Sequence, residues 1–364
     1  MTGTVVQINT MPGWYGGEYQ VFELVRGLAS RGCDTVLLAR GDGQLFVRAM
    51  RAGLPVLPIP PVLCRRGVPF GGTIVRRLLR GRSPVLYHAH DSRALQIAPG
   101  RAGHRDVPVV LSRRVPSPFR GGPVARRRYS PDRVARIIAV SAYVRDVLVR
   151  SGVPASQVVV VASGTDEGRV ATAEPMPLLV ERAGGRFRIG GVGELTHKKN
   201  WAMLVHTAAE LKRRGLDLAW FIAGDGPERG PLVSLARELG VDDAVSLLGF
   251  VDDIEAFVKG LDVLLHASRA EGTPGAVRMA MLAGVPVVAA ATGGTIETLA
   301  GHGLTMALDD VHGAADAIER LVKDAELRAA LADAARTHAR AQFGIDVMVD
   351  RTLGVYRDVL RGAA

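Results

Sequence analysis

Short apolar runs recur along the first part of the chain, at Thr4–Ile8, Thr35–Ala39, Val56–Ile59, Val85–His88, Val109–Leu111, Ile137–Val140 and Val158–Val161. They are nearly continuous in Val, Ile and Leu rather than alternating with polar residues, which predicts strands buried on both faces. Between several of them the apolar spacing shifts to three and four, as over Glu18–Arg31, and predicts amphipathic helices. Strand and helix in alternation predict an α/β fold with a parallel sheet covered on both sides.

Periodicity fades over 164–187, where Gly, Pro, Glu and Thr accumulate, and a linker is predicted over 166–187. A second series follows. Strands are predicted at Arg188–Val192, Leu218–Ala223, Val245–Leu247, Leu261–Leu265 and Val285–Ala289, with helices near Trp201–Arg214, Gly230–Glu238, Ile254–Gly260 and Ala276–Ala283. The tail from Phe343 to Arg361 places Ile345, Val349, Leu353, Tyr356 and Leu360 on one side of a final helix. Since 364 residues exceed what one core usually supports, two domains are expected, 1–165 and 188–344.

Composition changes this picture in three ways. Apolar stretches such as Val285–Ala291 are too short to span a bilayer, and Met1–Thr10 lacks a basic, long-apolar leader pattern, so a cytoplasmic protein is expected. Cys33 and Cys64 have no metal-ligand spacing and are expected as free thiols. Charge is divided unevenly: residues 1–185 carry 26 Arg against 12 acidic residues, whereas 186–364 carry 20 Lys and Arg against 24. Arg65-Arg66, Arg76-Arg77, Arg80, Arg82, Arg113-Arg114 and Arg126-Arg127-Arg128 suit an anionic membrane surface or a phosphorylated glycan. Nucleic acid is not expected, because no binding motif accompanies the charge.

Candidate chemistry concentrates where loops leave predicted strands. Glu271 opens the run Glu271-Gly272-Thr273-Pro274-Gly275 between a strand and a helix, where backbone N–H groups are left to bind anions and hydroxyls. Lys198-Lys199 stands out because only 5 of 46 basic residues are Lys and none precedes position 198. A flexible ammonium there suits a diphosphate. Gly16-Gly17 permits close backbone approach before a helix, and Glu18 suits that helix's N-terminus. His88-Ala-His90-Asp91 ends a strand with its histidines expected on alternate faces; His90, Asp91, Arg113 and Arg114 are candidate acceptor-binding residues. No metal site is expected, since HxHD lacks a third ligand of the usual kind.

Together with Gly16-Gly17-Glu18 and Gly193-Glu-Leu-Thr-His-Lys-Lys-Asn200, the Glu271 loop resembles the retaining glycosyltransferases of family 4, over nearly the whole chain. The resemblance implies a GT-B fold: two Rossmann-like domains with parallel sheets facing a central cleft, and a C-terminal helix, 345–364, crossing back to the first domain. It also implies an acceptor-binding first domain and a donor-binding second one. In that family two acids in an E-x7-E pattern contact the donor sugar and ribose, while an Arg and a Lys five residues apart hold the diphosphate. Glu271 matches the first acid and Lys199 the lysine; Met279 stands at the second acid and Glu194 at the Arg.

By the same resemblance Gly16, Gly17, Gly193, Glu194, Lys199, Gly224, Phe250, Val251, Glu271, Gly272, Thr273, Pro274, Gly275 and Met279 are expected at the donor, and Glu271, Lys199 and Arg114 in catalysis. The implied activity is transfer of a sugar, with retention, from a nucleotide-diphosphate sugar to a cell-envelope glycan, glycolipid or natural product. The nucleotide sugar is a co-substrate, and neither a cofactor nor a metal is expected. Two other readings stay open: a non-catalytic nucleotide- or glycan-binding homologue, which accounts for Met279 and Glu194, and a nucleotide-sugar epimerase. A Rossmann dehydrogenase is disfavoured, because Gly191-Val-Gly193 lacks the third glycine of the dinucleotide fingerprint.

Overall fold

The computed structural model describes residues 3–65, 71–99, 107–118 and 129–362. Arg66 and Arg126–Arg128 lie outside the described residues. The chain divides into two units, Met1–Gly164 with Ile345–Ala364, and Thr165–Gly344.

The first unit holds a seven-stranded sheet built from β1 (Thr4–Asn9), β2 (Thr35–Arg40), β3 (Val56–Ile59), β4 (Pro84–Ala89), β5 (Val109–Arg113), β6 (Arg136–Ala139) and β7 (Val158–Val160), in the order 3-2-1-4-5-6-7. All six pairings are parallel. β1 is buried along its whole length, as a strand covered on both faces must be. Gln7 and Asn9 are the polar residues in it beyond Thr4, and both are buried at its C-terminal half. The final helix, Ile345–Arg361, belongs to this unit and packs Met348, Val349, Leu353 and Tyr356 against Val5, Leu86, Val110 and Ile138.

The second unit holds β8 (Phe187–Val192), β9 (Leu218–Ala223), β10 (Val245–Gly249), β11 (Val263–His266), β12 (Val287–Ala290) and β13 (Leu304–Met306), ordered 10-9-8-11-12-13. These pairings are also parallel. In each sheet the strand order reverses once, between β1 and β4 and between β8 and β11, and crevices for ligands lie beyond the strand carboxyl ends at such reversals.

Three departures from the sequence-based expectations have physical reasons. The expected linker is largely structured: Asp166 caps a helix over Glu167–Thr172, and Pro177 opens another over Pro177–Ala183. Both belong to the second unit, and each is too short to display a helical period. The helix Ala325–Phe343 buries Ala332, Ala335, Ala339 and Phe343, a stripe made mostly of alanine that gives a weak hydrophobic signal. β13 is a three-residue edge strand. Cys33 and Cys64 are free thiols, as expected. Among the described residues no helix is long and apolar enough to cross a membrane.

Candidate functional site

The loops that leave β8 and β11 meet at the reversal point of the second sheet. β8 ends at Val192, and Gly193 turns the chain with φ +151, a conformation that L side chains rarely adopt. A short 3-10 turn, His197–Lys199, follows, and Asn200 takes φ 59 before the helix Trp201–Arg213. On the neighbouring loop Glu271 lies beyond β11 and just ahead of the helix Gly275–Ala283. Lys199 Nζ donates to Glu271 Oε1 at 2.8 Å, and Lys198 Nζ lies 3.9 Å from Glu271 Oε2. The pair joins residues 72 positions apart.

Burial penalises the Glu271 carboxylate, yet Lys199, His266 and Lys198 outweigh it and hold its pKa below the ordinary value. It is therefore an anion at neutral pH, with a cation already seated on it. His266, the last residue of β11, has its pKa pushed down to about 4 by burial and then by Lys199. Its Nε2 is buried without a hydrogen-bond partner among the described residues. A cavity of about 10 Å³, lined by Val192, Lys199, Asn200, Trp201, His266 and Ser268 among others, adjoins it and has room for about one water molecule.

The lysine loop is held from outside by Arg269. Its backbone N–H donates to Lys198 O at 3.0 Å, and its guanidinium donates to Asn200 Oδ1 and Asp309 Oδ2. Asn200 Nδ2 in turn donates to Asp309 Oδ1 and Ala267 O. Trp201 Nε1 donates to Glu194 O, leaving the Glu194 side chain exposed.

The other donor-side candidates separate by what the protein itself demands. At Gly224, φ is +152 and an added Cβ would sit 1.9 Å from Gly193 O, so glycine there serves the packing of two loops. Phe250 follows β10 and is 72% exposed, which places its ring in solvent rather than in the core; Val251 is half-buried. Thr273 O accepts from Arg278, Pro274 precedes the first helical residue, and the N–H groups of the first turn from Gly275 have no intrahelical partner. Gly272 is buried, and Met279 is half-buried one turn along that helix.

In the first unit the candidates gather at the β1/β4 reversal. Gly16 and Gly17 begin the helix Gly16–Ser30, and among the described residues a Cβ at either position would meet nothing within 4 Å. Nothing in the packing of the described residues calls for glycine there. Glu18 accepts the Tyr15 N–H and is buried, which raises its pKa despite that bond. His88 and His90 share a face, their rings 4.1 Å apart, and this corrects the expectation of alternate faces: residues two apart in a strand point the same way. Asp91 accepts from Thr10 N–H, Thr10 Oγ–H, Arg93 N–H and Ala94 N–H, so its carboxylate caps the helix Ser92–Ile97 and ties Thr10 to it. Arg113 donates to Ser117 O. Arg114 donates to His90 Nδ1 at 3.0 Å and to His90 O at 3.3 Å.

Comparison with known proteins gives this arrangement a family context. Residues 186–324 match the model described as Glycosyl transferases group 1, and residues 14–169 match Glycosyltransferase Family 4. The fold is shared with Anabaena Alr3699/HepE, a structure solved in complex with UDP and glucose, at TM-score 0.83, 20% identity, and coverage of 98% of this chain and 99% of that one. The chain is a GT-B-fold homologue of glycosyltransferases. It is 33% identical over 254 residues to the 2-deoxystreptamine glucosyltransferase of Streptomyces kanamyceticus, covering 65% of this chain and 64% of the relative. It is 30% identical over 172 residues to the alpha-D-kanosaminyltransferase of the same organism, covering 46% and 45%. The chain thus spans under two thirds of the length of these relatives.

The sequence of this GT-B chain places candidates at both reversal points but carries no pattern for the residues that support them. Arg269 and Asp309 are 40 positions apart and carry no motif, so only the tertiary fold unites them with Asn200. His266 closes the strand Val263–His266, one residue beyond the predicted Leu261–Leu265. A titratable residue closing such a strand beside a motif loop was the available signal.

Proposed function

We propose that this protein is a retaining glycosyltransferase of family 4, which moves a sugar from a nucleotide-diphosphate donor to a glycan, glycolipid or natural-product acceptor. The observation that carries the proposal is the Lys199–Glu271 pair at the β8/β11 reversal, beside the amides that open the helix at Gly275. In this reading the donor diphosphate takes Lys199 and those N–H groups, and Glu271, released from its cation, accepts hydrogen bonds from sugar hydroxyls. As the glycosidic bond breaks, negative charge grows on the β-phosphate, where Lys199 and the amides stabilise it in the place a metal would otherwise fill. The leaving phosphate accepts the acceptor proton, so no strong protein base is required.

The relatives' names support natural-product sugar transfer as the reaction class, and the two open glycines at 16 and 17 support ligand approach in the first unit. Met279 and the exposed Glu194 favour the competing reading, a homologue that binds without turnover. Glu271→Gln separates the two. It preserves shape and removes charge, and transfer should fall by roughly 10²- to 10³-fold while the nucleoside diphosphate binds at least as well, since Lys199 loses its internal partner. Transfer at the wild-type rate in a folded variant removes Glu271 from the mechanism. A wild-type protein that binds donor but neither transfers, hydrolyses nor epimerises it establishes the binding reading.

A further inference from the structure

Arg114 lies at the end of a hydrogen-bond chain whose direction can be assigned link by link. A guanidinium only donates, so His90 Nδ1 must accept from Arg114 and the His90 proton resides on Nε2. That Nε2–H donates to Gln7 Oε1 at 2.8 Å. The Gln7 amide then donates through Nε2 to the Tyr356 hydroxyl at 3.1 Å. Tyr356 has its own hydrogen to give: His88 Nδ1 lies 2.5 Å away, against 3.5 Å for Gln7 Oε1, so His88 accepts it. His88 keeps its proton on Nε2 and donates to Ser112 Oγ at 2.8 Å. The relay Arg114, His90, Gln7, Tyr356, His88, Ser112 runs one way, and it requires both histidines to be neutral. Burial pushes both far below the usual histidine range, and His90 is pushed further by His88 and Arg114.

The relay orients the guanidinium without using it up. Among the described residues Arg114 makes two hydrogen bonds, both to His90, from a group with five N–H donors. The acids acting on it, Glu18 and Asp91, are bonded elsewhere: Asp91 to Thr10, Arg93 and Ala94, and Glu18 to Tyr15 and Asn9. Burial lowers the Arg114 pKa to about 10, which leaves it cationic at neutral pH. A fixed fork of unspent donors on a partly desolvated cation, at a strand-order reversal, matches a planar or tetrahedral oxyanion.

We propose that Arg114 is the receptor for an oxyanion, phosphate or carboxylate, and that Tyr356 of the C-terminal helix is the positioning residue that presets it through Gln7 and His90. The proposal deepens the transferase reading and rests on it for the source of the anion, an acidic group on the acceptor. Calorimetric titration of the full chain with inorganic phosphate at saturating UDP, and with UDP alone, tests it. Arg114→Gln should weaken phosphate binding at least tenfold and leave UDP affinity unchanged. Unchanged phosphate affinity, or loss of UDP affinity with it, overturns the site.

Tyr356→Phe, which removes one oxygen from a buried helix, should weaken the same probe about three- to tenfold. Nitrogen-15 spectra should show Nε2–H tautomers at both His88 and His90 in the wild type, and a shifted His88 Nδ1 in Tyr356→Phe. A Nδ1–H tautomer at His90, or unchanged probe affinity in Tyr356→Phe, overturns the positioning role. Failure of the transferase reading looks different, because a wild-type protein that never cleaves a nucleotide sugar can still bind inorganic phosphate.

Discussion

At the scale of single residues, the second unit's site is a balance among one carboxylate, two ammonium groups and a buried imidazole. The native state protonates His266 only near pH 4, whereas an unfolded chain does so near 6.5. Between those values the unfolded state binds more protons, so stability falls as the pH falls. Fully developed, that gap corresponds to about 3 kcal/mol. The lowered Glu271 carboxyl acts in the same direction at more acidic pH, because its contribution is lost as pH falls through its folded value. His88 and His90 share the sign of His266. His266→Gln should therefore lose about 2 kcal/mol less than the wild type between pH 7 and pH 4.5 in urea unfolding, with a residual slope from the first unit's histidines. Parallel losses in the two proteins would mean that His266 is not held neutral in the fold.

Elements explain why some glycines belong to the architecture and others do not. Gly224 keeps the β9 loop against the β8 loop, and its left-handed φ and the 1.9 Å approach to Gly193 O exclude a side chain. Gly224→Ala should cost about 2–4 kcal/mol, read as a fall in Tm. Gly17→Ala, in the first turn of a helix with nothing within 4 Å, should leave Tm unchanged or slightly raised, since alanine is the better helix former. If ligand backbone approach is the reason for glycine there, sugar transfer should fall more than tenfold in Gly17→Ala. Normal transfer would return Gly16-Gly17 to being a plain helix start.

The same contrast marks how far the sequence could be read. A strand such as Leu218–Ala223 was legible to the residue, because a strand buried on both faces must be apolar throughout. So was the placing of Lys199 and Glu271 on loops that leave strands. Illegible were contacts that no local pattern encodes: Asp309 with Arg269, Tyr356 with His88, or the alanine stripe of Ala325–Phe343. The helix Val311–Lys323 buries Ala314, Ala315, Ile318 and Leu321 at regular spacing, a period its sequence does carry.

For the whole molecule, charge and chain path each carry a consequence. The excess of arginine in residues 1–185 motivates the hypothesis that the protein associates with anionic membranes through its first half. Binding to vesicles containing acidic phospholipid should then weaken steeply between low and physiological salt, and reversing Arg76 and Arg77 to Glu should reduce it without altering nucleotide affinity. Salt-independent partitioning to neutral vesicles contradicts that hypothesis. The chain path bears on folding. The first unit is left at Gly164 and completed only by Ile345–Ala364, whose helix buries Met348, Val349, Leu353, Val355, Tyr356 and Val359 and pairs Arg31 with Asp346 and Asp350. At roughly 1.5–3 kcal/mol for each large apolar side chain, those burials approach or exceed the 5–15 kcal/mol that stabilises a typical domain. Truncation after Gly344 should therefore unfold the first unit and spare Thr165–Gly344, whose core includes none of these residues. Hydrogen exchange on the truncated chain would show this as lost protection at Val5–Ile8 and Leu86–Ala89 with protection retained at Ala219–Ala223. Protected amides in both sheets would show that the first unit folds without its final helix.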